Sequence, residues 1–279
     1  MTTRRTFLAA AAATLAASAK SLSTVGVQLY TVRNILPNKP LETLKALEQI
    51  GYRECEVVAR DIDKIWSSLQ QTALKPVSVH LDTALFMKNQ AQLPAALDDA
   101  AKRGFKFVVC PYVNPADRGG ADVMKKLGET LNSAGQKAKA AGMTLAYHNH
   151  AFEFEPSGNG TLLDVLMGSC DPKLVQLELD IMWVKVGGAD PVAMLQKYKG
   201  RIPLMHVKNL QAGVEQRYNE KVPPTAFAEA GKGVIDIPAV LTAAGPAGVK
   251  HFFVEQDQTP GDPVASLRES FQYVHSLKF

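Results

Sequence analysis

Eight short β-branched segments alternate with helical segments along most of this 279-residue chain, and this alternation restricts its fold more than any other feature. The predicted strands cover residues 25–30, 55–58, 76–80, 105–110, 144–149, 175–180, 202–208 and 251–256. Between them, apolar residues recur at helical spacing, and Gly51, Gly104 and Gly142 each end a predicted helix shortly before a strand. The pattern predicts an α/β fold, a single (β/α)8 TIM barrel over residues 20–279.

A doubly wound open sheet is the competing architecture. It is less well supported, because no glycine-rich dinucleotide turn follows the first predicted strand. No change in composition marks a second domain. Hydrophobic residues make up 46% and charged residues 21% of the chain, which excludes a disordered chain and a multi-span membrane protein.

The N-terminal residues have the features of an export signal. Arg4 and Arg5 precede an apolar stretch too short to span a bilayer, which ends in Ala17-Ser18-Ala19. The segment resembles twin-arginine (Tat) signals, which implies a signal peptide over residues 1–19 and export of the folded protein to the periplasm or beyond. An amphipathic helix is the alternative, but residues 9–13 have no polar face. No cysteine follows the apolar stretch, so no membrane anchor is expected.

Charge and cysteine content restrict the partners. The net charge of +4 falls to +2 without Arg4 and Arg5, and no later run of basic residues supports a nucleic-acid partner. Cys55, Cys110 and Cys170 are odd in number and widely spaced, which fits neither a disulfide framework nor a zinc ribbon. We expect Cys55 and Cys110 to be small buried hydrophobic residues.

Chemistry-bearing side chains collect at the carboxyl ends of the predicted strands, where TIM barrels place their catalytic groups. They are Gln28, Tyr30, Glu56, His80, His148, His150, Asp180, His206, Lys208 and Glu255. Because side chains alternate along a strand, His148 and His150 share one face, as do His206 and Lys208. The sequence therefore predicts a functional site at this edge of the barrel.

The last four strands supply the ligand types of one divalent metal ion. These are His148 or His150, then Asp180, His206 and Glu255. Mixed nitrogen and oxygen ligation favours Mn²⁺, Co²⁺, Fe²⁺ or Zn²⁺ over Mg²⁺. Such an ion would act as a Lewis acid toward sugar oxygens and stabilise an enediolate, while a neighbouring carboxylate moves a proton on the adjacent carbon.

Each of these residues also has a structural interpretation. His80 is equally consistent with a hydrogen-bonded core group, and Asp180 could cap the following helix. Glu255 could pair with Lys208, and Glu178 is expected to be a buried partner of Lys208 or of a histidine. We favour the metal site because four independent caps poorly explain ligand-type residues at four successive strand ends. Lys208 would supply a positive charge where negative charge develops.

Five sequence blocks carry a family resemblance: Gln28-Leu29-Tyr30-Thr31-Val32-Arg33, Tyr147-His148-Asn149-His150-x-Phe152-Glu153-Phe154, Asp180-x-x-Trp183, His206-Val207-Lys208 and Val254-Glu255-Gln256-Asp257. They resemble the sugar phosphate isomerase/epimerase family of the xylose-isomerase-like barrels, over nearly all of the chain after the signal. That superfamily also contains inosose dehydratases, ketose 3-epimerases and endonuclease IV. The resemblance implies metal ligands at the strand-five residue, Asp180, His206 and Glu255, with Glu255 also a candidate base.

One position departs from the family pattern. Relatives commonly carry Glu on the fifth strand, where this chain has His148. Ketose 3-epimerases use that Glu together with the strand-eight Glu as two bases on opposite faces of the substrate. If His148 is a ligand, its nitrogen cannot shuttle a proton, so His150, Glu56 or Lys208 would be the second acid or base.

Three functional hypotheses follow. The leading one is a metal-dependent isomerase or epimerase that acts on a sugar or keto sugar through an enediolate. The second is a lyase that performs β-elimination on 3-keto glycosides, with Glu255 as base and His150 as the acid for the departing oxygen. The third is a non-catalytic periplasmic carbohydrate-binding barrel. A nuclease like endonuclease IV ranks last, because an exported and barely basic protein would not meet DNA.

The residues predicted to contact the carbohydrate lie at the same edge. They are Gln28, Tyr30, Glu56, His80 and Trp183. Trp183 and Phe154 would either stack on a sugar ring or serve ordinary packing. Residues 209–236 form a connection long enough to predict a lid or an interface arm, and a homo-oligomer is compatible with the sequence.

Overall fold

A computed structural model describes residues 21–279, so the predicted signal segment lies outside the described residues. The described chain contains a closed barrel of eight parallel strands: β1 Gly26–Gln28, β2 Glu54–Val58, β3 Lys75–His80, β4 Phe107–Cys110, β5 Thr144–His148, β6 Val175–Asp180, β7 Leu204–Val207 and β8 His251–Val254. The barrel closes where β8 pairs with β1, with Phe253 opposite Gly26. The predicted (β/α)8 architecture is confirmed.

Helices surround the barrel and cover its outer face. They are α1 Pro40–Ile50, α2 Ile62–Leu69, α3 Ala84–Met87, α4 Leu93–Lys102, α5 Gly120–Ala140, α6 Leu162–Ser169, α7 Ile181–Val186, α8 Pro191–Lys197, α9 Ile237–Ala247 and α10 Pro263–Ser276. Each amphipathic helix buries its apolar stripe, as Leu44 and Leu47 of α1 show. Gly51 ends α1 at φ +126°, and a side chain there would collide with the ring of Phe271.

β2, β3, β4 and β6 end at the predicted residues, whereas β1, β5, β7 and β8 end one or two residues earlier than the sequence pattern predicts. β1 stops at Gln28 because the next four residues form a 3₁₀ turn, in which the Gln28 side chain accepts a hydrogen bond from the backbone N–H of Tyr30 at 3.0 Å. β8 likewise stops at Val254, two residues before the predicted end. The chain leaves the sheet at this end to reach the next helix, so the polar residues that follow the strands lie around the barrel mouth.

A small apolar cluster inside the barrel supports the site from below. It consists of Val77, Val109, Ala146, Leu204 and Phe253, and it is separate from the main core between strands and helices. Strand alternation places Ala146, Leu204 and Phe253 on the same faces as the site residues two positions further along each strand. The barrel interior is therefore apolar below and polar at the mouth.

The long connection after β7 folds over the mouth. Asn209–Leu210 pairs with Phe227–Ala228 in a short antiparallel ribbon, and Pro224–Ala226 forms a 3₁₀ turn. Arg118 reaches this connection through two 2.9 Å hydrogen bonds to the carboxylate of Glu220. Within residues 21–279, none of the helices has both the length and the apolar character needed to cross a bilayer.

Candidate metal centre and cavity

The mouth of the barrel contains a cavity of about 640 Å³. Most residues that the sequence singled out line it: Tyr30, His80, His148, His150, Trp183, Lys208 and Glu255. Asp180 and His206 lie beneath its floor and are fully buried. Gln28 and Glu56 are also fully buried and do not line the cavity, so the structure does not bring these two predicted substrate-binding residues to the substrate space. Phe154 is buried against Gly187 and does not line it either.

Three of the predicted metal ligands share one centre. The ligand atoms of Asp180, His206 and Glu255 all lie within 4.8 Å of one another. Nδ1 of His206 is 2.7 Å from Oε2 of Glu255 and 3.9 Å from Oδ2 of Asp180. Side chains from β6, β7 and the end of β8 thus converge on one point, which we call the upper centre.

Of the two histidines, His148 contacts a residue of the upper centre, although its ligand atoms group with those of His80, Glu178 and His206. Nε2 of His148 lies 3.7 Å from Oδ2 of Asp180. The ring of His150 instead lies between the rings of Tyr112 and Trp183, at centroid distances of 5.0 and 5.3 Å. Of the two alternatives that the sequence left open, the geometry makes His148 the candidate ligand and leaves His150 facing the cavity.

The donor atoms at the upper centre fit a divalent cation. Oδ2 of Asp180 and Nδ1 of His206 are buried and form no aligned hydrogen bond among the described residues. Each has an ion-pair contact instead, Oδ2 with Lys208 at 2.9 Å and Nδ1 with Glu255 at 2.7 Å. Converging nitrogen and carboxylate oxygen atoms are the donor set of a Zn²⁺, Mn²⁺ or Co²⁺ ion.

Asp180 also has the structural role that the sequence offered as its alternative. Its Oδ1 accepts a hydrogen bond from the backbone N–H of Trp183 at 2.9 Å and so caps α7. Capping occupies one carboxylate oxygen and leaves Oδ2 directed at the upper centre. The two roles are therefore compatible.

Lys208 lies among three carboxyl groups of the site. Its Nζ lies 2.9 Å from Asp180, 2.7 Å from Glu255 and 2.8 Å from Asp257. Burial alone would lower the pKa of Lys208, but these carboxylates outweigh it and raise that pKa well above its usual value. One buried ammonium group thus pairs with three carboxyl groups of the site.

Two acidic groups at the cavity floor have opposite pKa shifts. Burial tends to raise the pKa of Glu255, but Lys208 and His206 outweigh it and lower the value, so Glu255 is ionised at neutral pH. Burial raises the pKa of Asp257 to about 7, despite Lys208. Asp257 has no role among the predictions from the sequence. Its position two residues after Glu255, in the segment that follows β8, was the signal that could have identified it.

A second polar cluster adjoins the upper centre. It consists of the fully buried Glu56 and Glu178 and of His80, which reaches the cavity wall, and we call it the lower layer. Nε2 of His80 is 2.9 Å from Glu56 and 2.7 Å from Glu178, and Glu178 also lies 3.3 Å from His148. Glu178 is therefore a partner of histidines, one of the two predicted alternatives. Burial alone would lower the pKa of His80, but the carboxylates of Glu56 and Glu178 outweigh it and raise the value to about 9.

Fold and site define a TIM barrel with a candidate divalent-metal centre at the carboxyl ends of its strands. The family described as Xylose isomerase-like TIM barrel matches residues 41–277. The chain belongs to this family. Its parallel closed barrel agrees with that assignment.

Individual relatives found by sequence match only part of this chain. The inosose dehydratase of Geobacillus thermodenitrificans is 31% identical over 158 residues, which is 52% of this chain and 51% of that protein. The chain thus matches about half the length of this relative.

Solved structures share the fold over almost the whole chain. A sugar phosphate isomerase/epimerase from Parabacteroides distasonis has a TM-score of 0.72 at 22% identity, covering 94% of this chain and 95% of that one. The 3-keto-D-glucoside 4-epimerase YcjR of E. coli has a TM-score of 0.66 at 14% identity, covering 91% and 99%. At these identities the similarity establishes the fold alone.

Proposed function

We propose that this protein is a divalent-metal-dependent enzyme that moves a proton on the carbon next to the carbonyl group of a sugar or keto sugar. Isomerisation or epimerisation is the expected outcome. The convergence of the buried nitrogen and oxygen atoms of Asp180, His206 and Glu255 on one point carries this proposal. His148 completes the proposed ligand set through Nε2.

Glu255, Lys208 and Asp257 have separate proposed roles around the reacting carbon. When bound, a Zn²⁺, Mn²⁺ or Co²⁺ ion would supply Lewis acidity toward the carbonyl and hydroxyl oxygens of the substrate. Glu255 is ionised, lines the cavity and is the proposed base. Lys208 holds a fixed positive charge beside it, which lowers the energy of an anionic intermediate. Asp257, with a pKa of about 7, is a proton donor within 2.8 Å of Lys208.

A keto sugar is the substrate class that best fits both the cavity and the relatives. The cavity floor is charged, and its wall carries the indole ring of Trp183 with His150 beside it at 5.3 Å. Such a combination suits a polar ring that stacks on one face. The matched relatives are an inosose dehydratase and, at the level of fold, a 3-keto-glucoside epimerase. Both of these activities involve a carbonyl-bearing ring.

β-Elimination from a 3-keto glycoside is the second candidate, and a specific arrangement favours it. His148 stands where a two-base epimerase would carry a second carboxylate, so a base on the opposite face is missing from β5. Burial lowers the pKa of His150 well below its usual value, so its neutral ring is not the acid that the sequence predicted; Asp257, with a pKa of about 7, would instead protonate a departing glycosidic oxygen on the cavity side. Export through the predicted twin-arginine signal, which we propose leads to the periplasm or the exterior, would expose the enzyme to glycosides rather than to sugar phosphates.

Incubation with candidate substrates in deuterated water tests the proposal. The purified protein is loaded with Zn²⁺, Mn²⁺ or Co²⁺ and mixed with free ketoses or 3-keto glycosides, and the products are followed by NMR. Deuterium on a retained carbon skeleton indicates an isomerase or epimerase, whereas release of the aglycone indicates a lyase. Substrate binding without exchange or cleavage would support the carbohydrate-binding barrel and contradict both enzymatic candidates.

Matched variants separate the base from general effects of charge. Glu255→Gln should abolish deuterium exchange or cleavage. Glu269→Gln, which removes a half-exposed carboxylate on α10, should leave the rate unchanged. Equal rates in both variants would contradict the assignment of Glu255 as the base.

A further inference from the structure

The lower layer connects the two histidines of the proposed metal centre. We propose that Glu56 and Glu178, bridged by His80, fix the tautomers of His206 and His148, so that Nδ1 of His206 and Nε2 of His148 face the cation. Glu56, His80 and Glu178 would thus be positioning residues that act through the ligands. This inference rests on the metal centre of the proposed function.

The contact of His206 with Glu56 determines which nitrogen of His206 is free. Nε2 of His206 is 2.7 Å from Oε1 of Glu56, and both residues are fully buried. An ionised carboxylate only accepts hydrogen bonds, so Nε2 is the N–H donor. In the metal-loaded protein the other nitrogen, Nδ1, then has its lone pair free for the cation between Asp180 and Glu255. A histidine ligand whose second nitrogen donates to a carboxylate is a common arrangement in metal sites.

In His148 the two ring nitrogens have exchanged roles: Nδ1 faces the carboxylate of the lower layer, and Nε2 faces the upper centre. Its Nδ1 lies 3.3 Å from Oε2 of Glu178, and its Nε2 lies 3.7 Å from Oδ2 of Asp180. This contact with Glu178 lacks hydrogen-bond alignment, and Nδ1 forms no hydrogen bond with any of the described residues. Donation from Nδ1 to Glu178 leaves the lone pair of Nε2 for the cation. Each histidine therefore contacts a different carboxylate of the lower layer, Glu56 for His206 and Glu178 for His148. The two rings would bind the cation through different nitrogens, Nδ1 of His206 and Nε2 of His148.

His80 links the two carboxylates to each other. Its Nε2 lies between Oε1 of Glu56 at 2.9 Å and Oε2 of Glu178 at 2.7 Å. Glu56 is further held by hydrogen bonds from Gln28, at 2.7 Å, and from the hydroxyl of Ser78. This fixes Glu56 on several sides, so the orientation of His206 is set by packed and hydrogen-bonded neighbours. It also gives Gln28 and Glu56 a role beneath the cavity.

The alternative to this positioning role is a second ion site formed by the same residues. Ligand atoms of His80, His148, Glu178 and His206 lie within 4.8 Å of one another, so these four residues could hold an ion themselves. The geometry favours the bridge, because Nε2 of His206 is already hydrogen-bonded to Glu56 and Nε2 of His80 to Glu178. One ion per chain is therefore expected, and two ions per chain would overturn the inference.

Metal affinity measured on matched variants provides the first test. Glu56→Gln and Glu178→Gln should each weaken Zn²⁺ binding about 10- to 100-fold. Glu54→Gln is the control, because Glu54 pairs with His251 at 2.8 Å at the opposite end of β2 and should leave zinc affinity unchanged. Competition with a chromophoric chelator gives the dissociation constants, and circular dichroism checks the fold. Unchanged affinity in both lower-layer variants would overturn the inference.

Histidine ¹⁵N NMR of the zinc-loaded wild-type protein provides a test that needs no substitution. It should show an Nε2–H tautomer for His206 and an Nδ1–H tautomer for His148. A single tautomer type for both rings would contradict the proposed arrangement. If the wild-type protein binds no divalent ion, the metal centre of the proposed function fails as well, which differs from a protein that binds zinc with unaffected variants.

Discussion

The side chain of Asn149 forms hydrogen bonds with both backbone polar groups of Asp180. Its Oδ1 accepts from the Asp180 N–H at 3.0 Å, and its Nδ2 donates to the Asp180 carbonyl at 3.3 Å. Asn149 follows β5 and Asp180 ends β6, so this clamp joins two adjacent strand ends directly beside His148. It fixes the backbone that carries two of the proposed ligands.

Asn149→Asp should weaken this clamp. The new carboxylate cannot donate to the Asp180 carbonyl and repels it, so we expect a loss of about 1–3 kcal/mol in the free energy of unfolding and weaker zinc binding. Urea unfolding and zinc titration measure the two effects. Asn132→Asp is the control, since Asn132 clamps Ser169 and Asp171 in the same way away from the cavity. A control that loses as much zinc affinity would contradict the assigned role.

Zinc binding should release protons. Burial alone would lower the pKa of His206, but Glu178, Glu255 and Glu56 outweigh it and raise that pKa well above its usual value. The metal-free ring is therefore protonated at neutral pH, and an ion can bind Nδ1 only after the ring loses a proton. Calorimetry in buffers of different ionisation enthalpy should show about one proton or more released per ion, with affinity rising about tenfold per pH unit. Binding that is independent of pH would contradict this expectation.

Glu153 should make stability depend on pH. Burial raises its pKa to about 8, although the Tyr147 hydroxyl and the His150 N–H both donate to it. Between the unfolded value of 4.5 and about 8, the folded state binds a proton that the unfolded state has lost. Stability is therefore lost as pH rises through this window, by up to about 1.4 kcal/mol per pH unit.

Glu153→Gln isolates that contribution. Relative to wild type, its free energy of unfolding should increase between pH 5 and pH 8, because the amide cannot ionise. Urea denaturation at each pH measures the difference. Glu155→Gln, an exposed position two residues along, provides the baseline. If the Glu153 difference follows the Glu155 difference at every pH, Glu153 carries no buried proton.

The fold could be predicted from the sequence because its signals are local. β-Branched runs, helical apolar spacing and glycines such as Gly51 each report on a few neighbouring residues, and together they define the barrel. The edge that holds the site followed from the same alternation, since parallel strands place their carboxyl ends together. His148, Asp180 and His206 could therefore be selected without coordinates.

The division of the site into an upper centre and a lower layer could not be predicted, because it depends on contacts between residues that are distant in the sequence. Glu56 and His206 are 150 residues apart, and only the closed barrel brings them to 2.7 Å. Sequence alternation places Glu56 on an inward face but does not say how deep it lies, so its assignment to the substrate was not distinguishable from a role beneath the cavity. Asp257 was overlooked for a related reason, since its raised pKa arises from burial.

The ion pair between Arg118 and Glu220 should control the mobility of the connection that covers the cavity. The two hydrogen bonds of 2.9 Å, together with the guanidinium 3.8 Å above the Phe152 ring, fix residue 220 at the cavity wall. Glu220→Gln should therefore cost about 1 kcal/mol locally and accelerate amide exchange of residues 211–228 about fivefold, as hydrogen–deuterium mass spectrometry can measure. Glu269→Gln breaks the more exposed pair with Lys232 and should not change exchange in that segment. Exchange that is equally slow in both variants would show that packing alone, rather than this ion pair, holds the connection closed.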